Sequence, residues 1–341
     1  MKTANNHSVI GRAFEVLQPS ISGHLQIARV DHWFKNVFAI PGIVTALGIA
    51  PTAEVSGLLG RIAVGLLSLC IVASSNYVIN EVMDAPFDRQ HPRKCNRPVP
   101  SGTVNIPLAY VEWLALMIAG VSLGVTVSVP FTMTLLALWI MGCVYNVQPL
   151  RSKDVPYVDV LSEAMNNPLR MLAGWYMVVG GSTVPPASLL LTYWMIGSYF
   201  MAMKRFAEYR DIHDPVRAAA YRKSFAFYTE EGLLVSVMFY GSTAMLFFGA
   251  FIMRYRLELI VSFPFLALLM ALYLSLAFKP DSAVQRPEGL YREPTIMVPV
   301  IICVVLIALL LFVDIPILHR IFTPTVPTSE ATGLLRFGNI R

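Results

Sequence analysis

Residues 76–102 read NYVINEVMDAPFDRQHPRKCNRPVPSG, and they stand where an apolar run gives out. Asn80, Asp84 and Asp88 recur every four residues, with Asn76 one step earlier. On an α-helix that spacing stacks side chains one turn above another on a single face. Pro86 lacks a backbone donor. The stretch therefore predicts a helix that ends near Asp84, with Asp88 arriving on an irregular turn that bends toward the same pocket. His91, Arg93, Lys94 and Arg97 follow at once. Two carboxylates and an amide make an oxygen-rich set suited to Mg2+, a hard cation that takes a few carboxylates together with substrate phosphate oxygens. The basic run behind them suits those phosphates. A polar loop that only anchors a membrane helix is the plainer reading. Acids in helical register ahead of a run of bases favour a site.

The rest of the chain sets this stretch in a membrane. Of 341 residues, 56% are hydrophobic and 14% charged, with a mean hydropathy of +0.60. That excludes a soluble globular composition. Apolar runs at 37–53, 58–80, 105–128, 130–147, 157–180, 187–204, 229–251, 257–278 and 296–314 are mostly near the ~20 residues a spanning helix needs. The expected fold is all-α, a polytopic membrane helical bundle of about nine transmembrane helices. Pro41 and Gly42 interrupt the first run and predict a tilt or kink there. Most of the 26 Lys and Arg fall in the N-terminal segment and in the loops after the even-numbered runs. The positive-inside rule then places the N-terminus and those loops in the cytoplasm. Residues 1–24 are polar and lack the apolar core of a signal peptide. Cys70, Cys95, Cys143 and Cys303 are scattered, so neither a disulfide nor a zinc framework is expected.

Three other polar stretches are candidates for chemistry. In KRFAEYRDIHDPVRAAAYRKS, residues 204–224, Lys204, Glu208 and Asp211 share a helix face, and Asp214 before Pro215 predicts a helix stop. A solvated charged loop is the alternative there. Asp159, Glu163, Asn166 and Arg170 form one helical stripe running into an apolar span, with Asn167-Pro168 expected to kink it. Ionisable residues at such depth line a cavity or pair with one another. Both readings stand here, the second as a Glu163–Arg170 or Asp159-based ion network. Tyr145, Arg151 and Lys153 make a short basic-aromatic loop, either interfacial anchors or part of the site. Arg29, Trp33 and Lys35 suit a membrane-interface belt equally well.

The string Asn80-x3-Asp84-x3-Asp88, then Arg89, His91-Pro92, Lys94 and Arg97-Pro98, resembles the first aspartate-rich motif of the UbiA superfamily of membrane prenyltransferases. The fuller D-R-x-H-P-x-K-x-x-R-P is most similar to the branch of decaprenyl-phosphate phosphoribosyltransferases. Lys204-Arg205-x-Ala207-Glu208 resembles the K-R-x-A-E stretch of that branch, and Asp159, Leu169-Arg170 and Ala173-Gly174 resemble its D…LR…AG pattern. Arg29-x3-Trp33-x-Lys35-Asn36 resembles the start of its first helix. The resemblance covers roughly residues 25–315, with residues 1–24 as a cytoplasmic or interfacial segment and 316–341 as an irregular tail. Three features depart from the branch: Glu81 after Asn80, the Asn166-Asn167-Pro168 run, and the Asp211-x2-Asp214 pair.

The resemblance implies an integral-membrane transferase of the bacterial plasma membrane that moves 5-phosphoribose from PRPP to a polyprenyl phosphate. In that reading Asn80, Asp84 and Asp88 hold Mg2+ on the donor diphosphate. Arg93, Lys94 and Arg97 contact phosphates, and Lys204, Arg205 and Glu208 position the ribose phosphate or the acceptor. Lys35, Tyr145, Lys153, Asp159, Arg170 and Asp211 complete the candidate substrate site. The second reading is prenyl transfer from a polyprenyl diphosphate to an aromatic ring. A transporter or scaffold is the third, disfavoured because no inverted hydropathy repeat is seen and both acidic stretches face one side. The partners implied are a lipid substrate and the membrane. A homo-oligomer is left open, and bases spread along one membrane face argue against nucleic acid. There is no P-loop, no dinucleotide fingerprint and no zinc-protease motif.

Overall fold

In lipid, helices gain little from hiding apolar surface from one another, so their packing rests on close van der Waals fit and a few polar contacts. The computed structural model, which describes residues 20–322 apart from 51–55, 90–93, 182, 213, 281, 286–288 and 291–292, is built on that principle. It is all-helical, and no strand occurs among the described residues. The expected roles of His91 and Arg93, and the segment 1–19, lie outside the described residues.

Helix α1 (Ile21–Ile27) is capped by the Ser20 hydroxyl, which accepts from the Gly23 N–H at 3.1 Å. A 3-10 stretch, Val30–Ala39, leads into α2 (Ile40–Ile49). The first apolar run is thus two short pieces, with Pro41 at the start of the second, where a missing N–H costs nothing. Helix α3 runs over Leu58–Asp88 and does not end near Asp84. Pro86 falls in its last turn, so it removes a single bond, and the Arg89 N–H still reaches the Ala85 carbonyl at 3.1 Å. Asp88 therefore sits on the helix, not on an irregular turn. Helices α4 (Ile106–Val125) and α5 (Val129–Asn146) follow, capped by Asn105 and Ser128.

The stripe from Asp159 to Arg170 is broken. Helix α6 (Val158–Ala164) stops, and α7 (Asn166–Val179) restarts after Met165. Pro168 cannot donate to the Ala164 carbonyl four residues back, so a continuous helix would lose a bond there. The Asn166 side-chain amide donates to the Glu163 carbonyl at 3.0 Å and satisfies one acceptor freed by the break. Helices α8 (Ala187–Ile212), α9 (Pro215–Tyr221), α10 (Glu230–Tyr255), α11 (Phe263–Ala277) and α12 (Pro294–Leu310) complete the bundle. A short α13 (Pro316–Ile321) occupies the beginning of the expected irregular tail.

Among the described residues, five stretches are long and apolar enough to cross a membrane: α3, α4, α5, α10 and Leu257–Ala277. The other four of the nine expected spans are shorter, broken or more polar. The chain is a multi-pass membrane protein. Four apolar packing centres hold the described residues, and two of them are the largest. Phe131, Leu135, Leu69, Val72 and Trp175 fill one, and Phe206, Met203, Phe225, Leu233 and Val237 fill the other. Between α2 and α7 the backbones nearly touch. A Cβ on Gly42 would overlap the Met171 carbonyl oxygen, and one on Gly174 would overlap that of Ala39. This reciprocal crossing fixes α7 against the 3-10 stretch, where Arg170 Nε donates to Asn36 Oδ1 at 3.0 Å.

Candidate functional site

The C-terminal part of α3, the end of α5, the 151–154 turn, the α6–α7 junction and the end of α8 surround a cavity of about 1620 Å³. Its wall carries nine Lys and Arg against five carboxylates.

Asn76, Asn80 and Asp84 all face this cavity from α3, as their register requires. Asn80 donates to Asn146 Oδ1 at 2.6 Å, and its own Oδ1 takes no bond from a described residue. Asp84 accepts on Oδ1 alone, from Arg151 at 3.0 Å and from the Lys153 ammonium. Its Oδ2 takes no bond from a described residue. Two oxygens, one amide and one carboxylate, thus stand one turn apart, which fits a hard cation that completes its shell with phosphate oxygens and water. No group of three His, Cys, Asp or Glu able to hold a metal occurs among the described residues. Asp88 is not part of this wall. Its side chain is 8% exposed and pairs with Arg97 at 2.7 Å, so it tethers the loop that carries Lys94 and Arg97, both of which do line the cavity.

Lys153 also donates to Asn146 Oδ1 at 2.8 Å. Burial pulls its ammonium down to about 8, and the Asp84 carboxylate opposes that pull. Arg151 is wedged by further bonds to the Asn146 carbonyl at 3.1 Å and to Asp154 at 3.2 Å, with its guanidinium over the Phe87 ring.

The far wall is a buried ion network. Asp159 is fully buried and does not line the cavity. It binds Arg205 at 3.0 Å, Arg222 at 3.2 Å, Ser224 and the Tyr228 hydroxyl. Burial, reinforced by the Asp159 charge, pushes the Tyr228 hydroxyl up, so it remains a donor. Arg205 also holds Glu208 at 3.0 Å, and Arg222 donates to the Tyr145 hydroxyl at 2.9 Å. Tyr145, Lys204, Arg205, Glu208 and Arg222 line the cavity. Asp211 is exposed and does not. Asp214 caps α9 by accepting from the Val216 and Arg217 N–H groups at 2.9 and 3.4 Å.

Lys35 and Arg170 line a third part of the cavity. Glu163 and Arg170 form no ion pair with each other. Arg170 has Asn36 as its hydrogen-bond partner, and no described residue bonds its two terminal nitrogens. Glu81, the residue after Asn80, is buried and takes Arg29 at 2.9 Å and the Val99 N–H at 3.1 Å. It ties α1 and the 97–103 loop to α3. Arg151 and Arg222, from the 145–153 and 204–224 stretches, belong to the site, and so does Asn146, which lies outside the candidate stretches. For Asn146 a signal existed: it is a polar residue at the end of an apolar run, as Asn80 is.

Comparison with known proteins agrees with this architecture. Residues 38–288 match the UbiA prenyltransferase family. The decaprenyl-phosphate phosphoribosyltransferase of Mycobacterium tuberculosis is 31% identical over 217 residues, covering 61% of this chain and 67% of that protein. Its namesake from Mycolicibacterium smegmatis is 27% identical, and the match spans 64% of that protein's length and 62% of this chain. A UbiA homolog from Archaeoglobus fulgidus bound to DMAPP and Mg2+ superposes with a TM-score of 0.65 at 20% identity, over 85% of this chain and 99% of the other.

Proposed function

The chain belongs to the UbiA prenyltransferase family, and from that premise we propose that it is a Mg2+-dependent membrane transferase moving 5-phosphoribose from PRPP to a polyprenyl phosphate. The observation that carries this reading is the cavity's excess of cations. Nine Lys and Arg line it against five carboxylates, and Asp88 and Asp159 behind the wall answer Arg97, Arg205 and Arg222, so cations still outnumber acids by two before any metal is counted. A prenyl diphosphate with a neutral aromatic acceptor brings one diphosphate. PRPP with a polyprenyl phosphate brings a diphosphate and two separate monophosphates, which suits cations spread over three parts of a wall. The names of the mycobacterial relatives point the same way.

Asn80 and Asp84 would hold Mg2+, which supplies neutralisation of the departing diphosphate. Arg151 and Lys153 aim Asp84. Lys94 and Arg97 reach the diphosphate from the loop that Asp88 tethers. Lys204 and Arg222 receive a second phosphate, and Arg170 offers its guanidinium fork to a third. The anomeric C–O bond breaks with the electron pair leaving on diphosphate, and a phosphate oxygen of the lipid takes its place on carbon. An ionised phosphate needs no base for this attack. Phe34, Val37, Phe38, Leu269, Met297 and Val300 give the cavity an apolar side for an isoprenoid chain. They also keep water from a cationic transition state. The site opens to the cytoplasm of a bacterial plasma membrane, following the distribution of bases.

The test is donor choice. Purified chain in detergent with Mg2+ receives PRPP plus polyprenyl phosphate, or prenyl diphosphate plus 4-hydroxybenzoate, and diphosphate release is recorded. Release with PRPP that requires the lipid phosphate is the expected result. Release only with prenyl diphosphate would overturn the donor assignment.

A further inference from the structure

Five carboxylates line the cavity, and four of them are answered. His32 lies 3.7 Å from Asp31, Arg29 pairs with Glu81, Arg151 and Lys153 with Asp84, and Arg205 with Glu208. Glu163 is the exception. Its carboxylate faces the cavity and makes no hydrogen bond or ion pair with any described residue. Four residues on, Asn167 also lines the cavity, and its side-chain amide is likewise unbonded to any described residue. The amide lies over Gly197 of α8, where a Cβ would overlap its Nδ2, so the missing side chain is what lets Asn167 sit there. Asn166 between them also lines the cavity and gives one amide N–H to the Glu163 carbonyl.

A carboxylate that faces a cavity without a hydrogen-bond donor is open to a ligand's donor groups, and it is unfavourable beside a phosphate. It is well matched to hydroxyl groups, because each carboxylate oxygen accepts from an O–H, while an amide both donates and accepts. Resting on the phosphoribosyl reading above, we propose that Glu163 and Asn167 form a hydroxyl-recognition subsite that grips the vicinal diol of a phosphorylated pentose. The break at Met165 is what presents both side chains to the cavity from two short helices. Arg170, one turn further along α7, stands ready for an anionic group of the same ligand. A prenyl diphosphate has no hydroxyl to offer this pair, so the subsite also works as a filter against the lipid diphosphates that share the membrane.

The experiment compares three non-reacting probes on full-length protein in detergent with Mg2+: ribose 5-phosphate, 2-deoxyribose 5-phosphate and inorganic diphosphate. Dissociation constants are measured by calorimetry for wild type, Glu163→Gln and Asn167→Ala. Wild type is expected to hold ribose 5-phosphate about tenfold or more tightly than its deoxy analogue, the cost of leaving buried polar groups unpaired. Each variant should shrink that ratio to within about threefold, while diphosphate stays bound at least as tightly as in wild type, which also certifies the fold. Undiminished discrimination in both variants overturns the subsite and leaves the phosphoribosyl reading standing. Failure of wild type to bind ribose 5-phosphate while it binds diphosphate overturns both.

Discussion

The two acidic stretches of the chain look alike as strings and differ as structures. In 80–97, α3 carries its register through Asn80 and Asp84, and both keep an oxygen turned to the cavity. In 204–217, Lys204 and Glu208 reach the same cavity, but α8 ends at Ile212, which leaves Asp211 exposed and Asp214 engaged as a helix cap. Spacing alone does not make a ligand of a carboxylate. The helix must continue under it, and the oxygen must be left without a cap or a guanidinium.

The largest effect that sharpens this contrast is expected at Asp84. Asp84→Ala should lower turnover by about a thousandfold, the scale of losing a metal's charge stabilisation. Chelation by EDTA should do the same and be reversed by added Mg2+; near-normal turnover in either arm would break the assignment of the first stretch. Lys153→Met comes next, with a loss of about a hundredfold, because it removes a cation from the diphosphate side and leaves Asp84 with Arg151 alone. Steady-state kinetics should place that loss in both kcat and kcat/KM. Glu208→Gln is milder, about tenfold and mostly in the donor KM, since it removes one of the two carboxylates that hold Arg205 without touching the metal position. Asp214→Ala is expected to cost about 1 kcal/mol of stability through the lost cap, seen as a lower Tm, with turnover within about twofold. Asp211→Asn should leave both readouts unchanged. If Asp211→Asn proved as damaging as Asp84→Ala, the asymmetry between the two stretches would be wrong.

The all-helical class and the family were legible in the sequence because polar motifs stand out against a chain that is 56% hydrophobic. Residues four apart on one continuous helix were legible too, so Asn80 and Asp84 meet as their spacing says. The end of α3 is not legible in the sequence because the cost of a proline depends on where the helix stops, and Pro86 lies in the last turn. The partners of Asp84 were harder to see. Arg151 and Lys153 lie 67 and 69 residues away, and nothing local marks them as its counter-ions. Glu163 and Arg170 look like a pair on a helical stripe. The break between α6 and α7, and the claim of Asn36 on Arg170, separate them. An unanswered carboxylate is a property of everything around it, and a string of residues does not contain that information.

The excess of positive charge in the cavity has a consequence for the protein in the laboratory. Cations that outnumber the acids around them repel one another, and a bound multivalent anion relieves that repulsion. A ligand that binds only the folded state stabilises it by mass action, by about 2.7 kcal/mol at a hundred times its dissociation constant. Inorganic phosphate, sulfate or diphosphate in a storage buffer should therefore raise the melting temperature and prolong shelf life. On the proposed function the same ions would occupy the donor's seat, so the most protective buffer is expected to be the strongest competitive inhibitor.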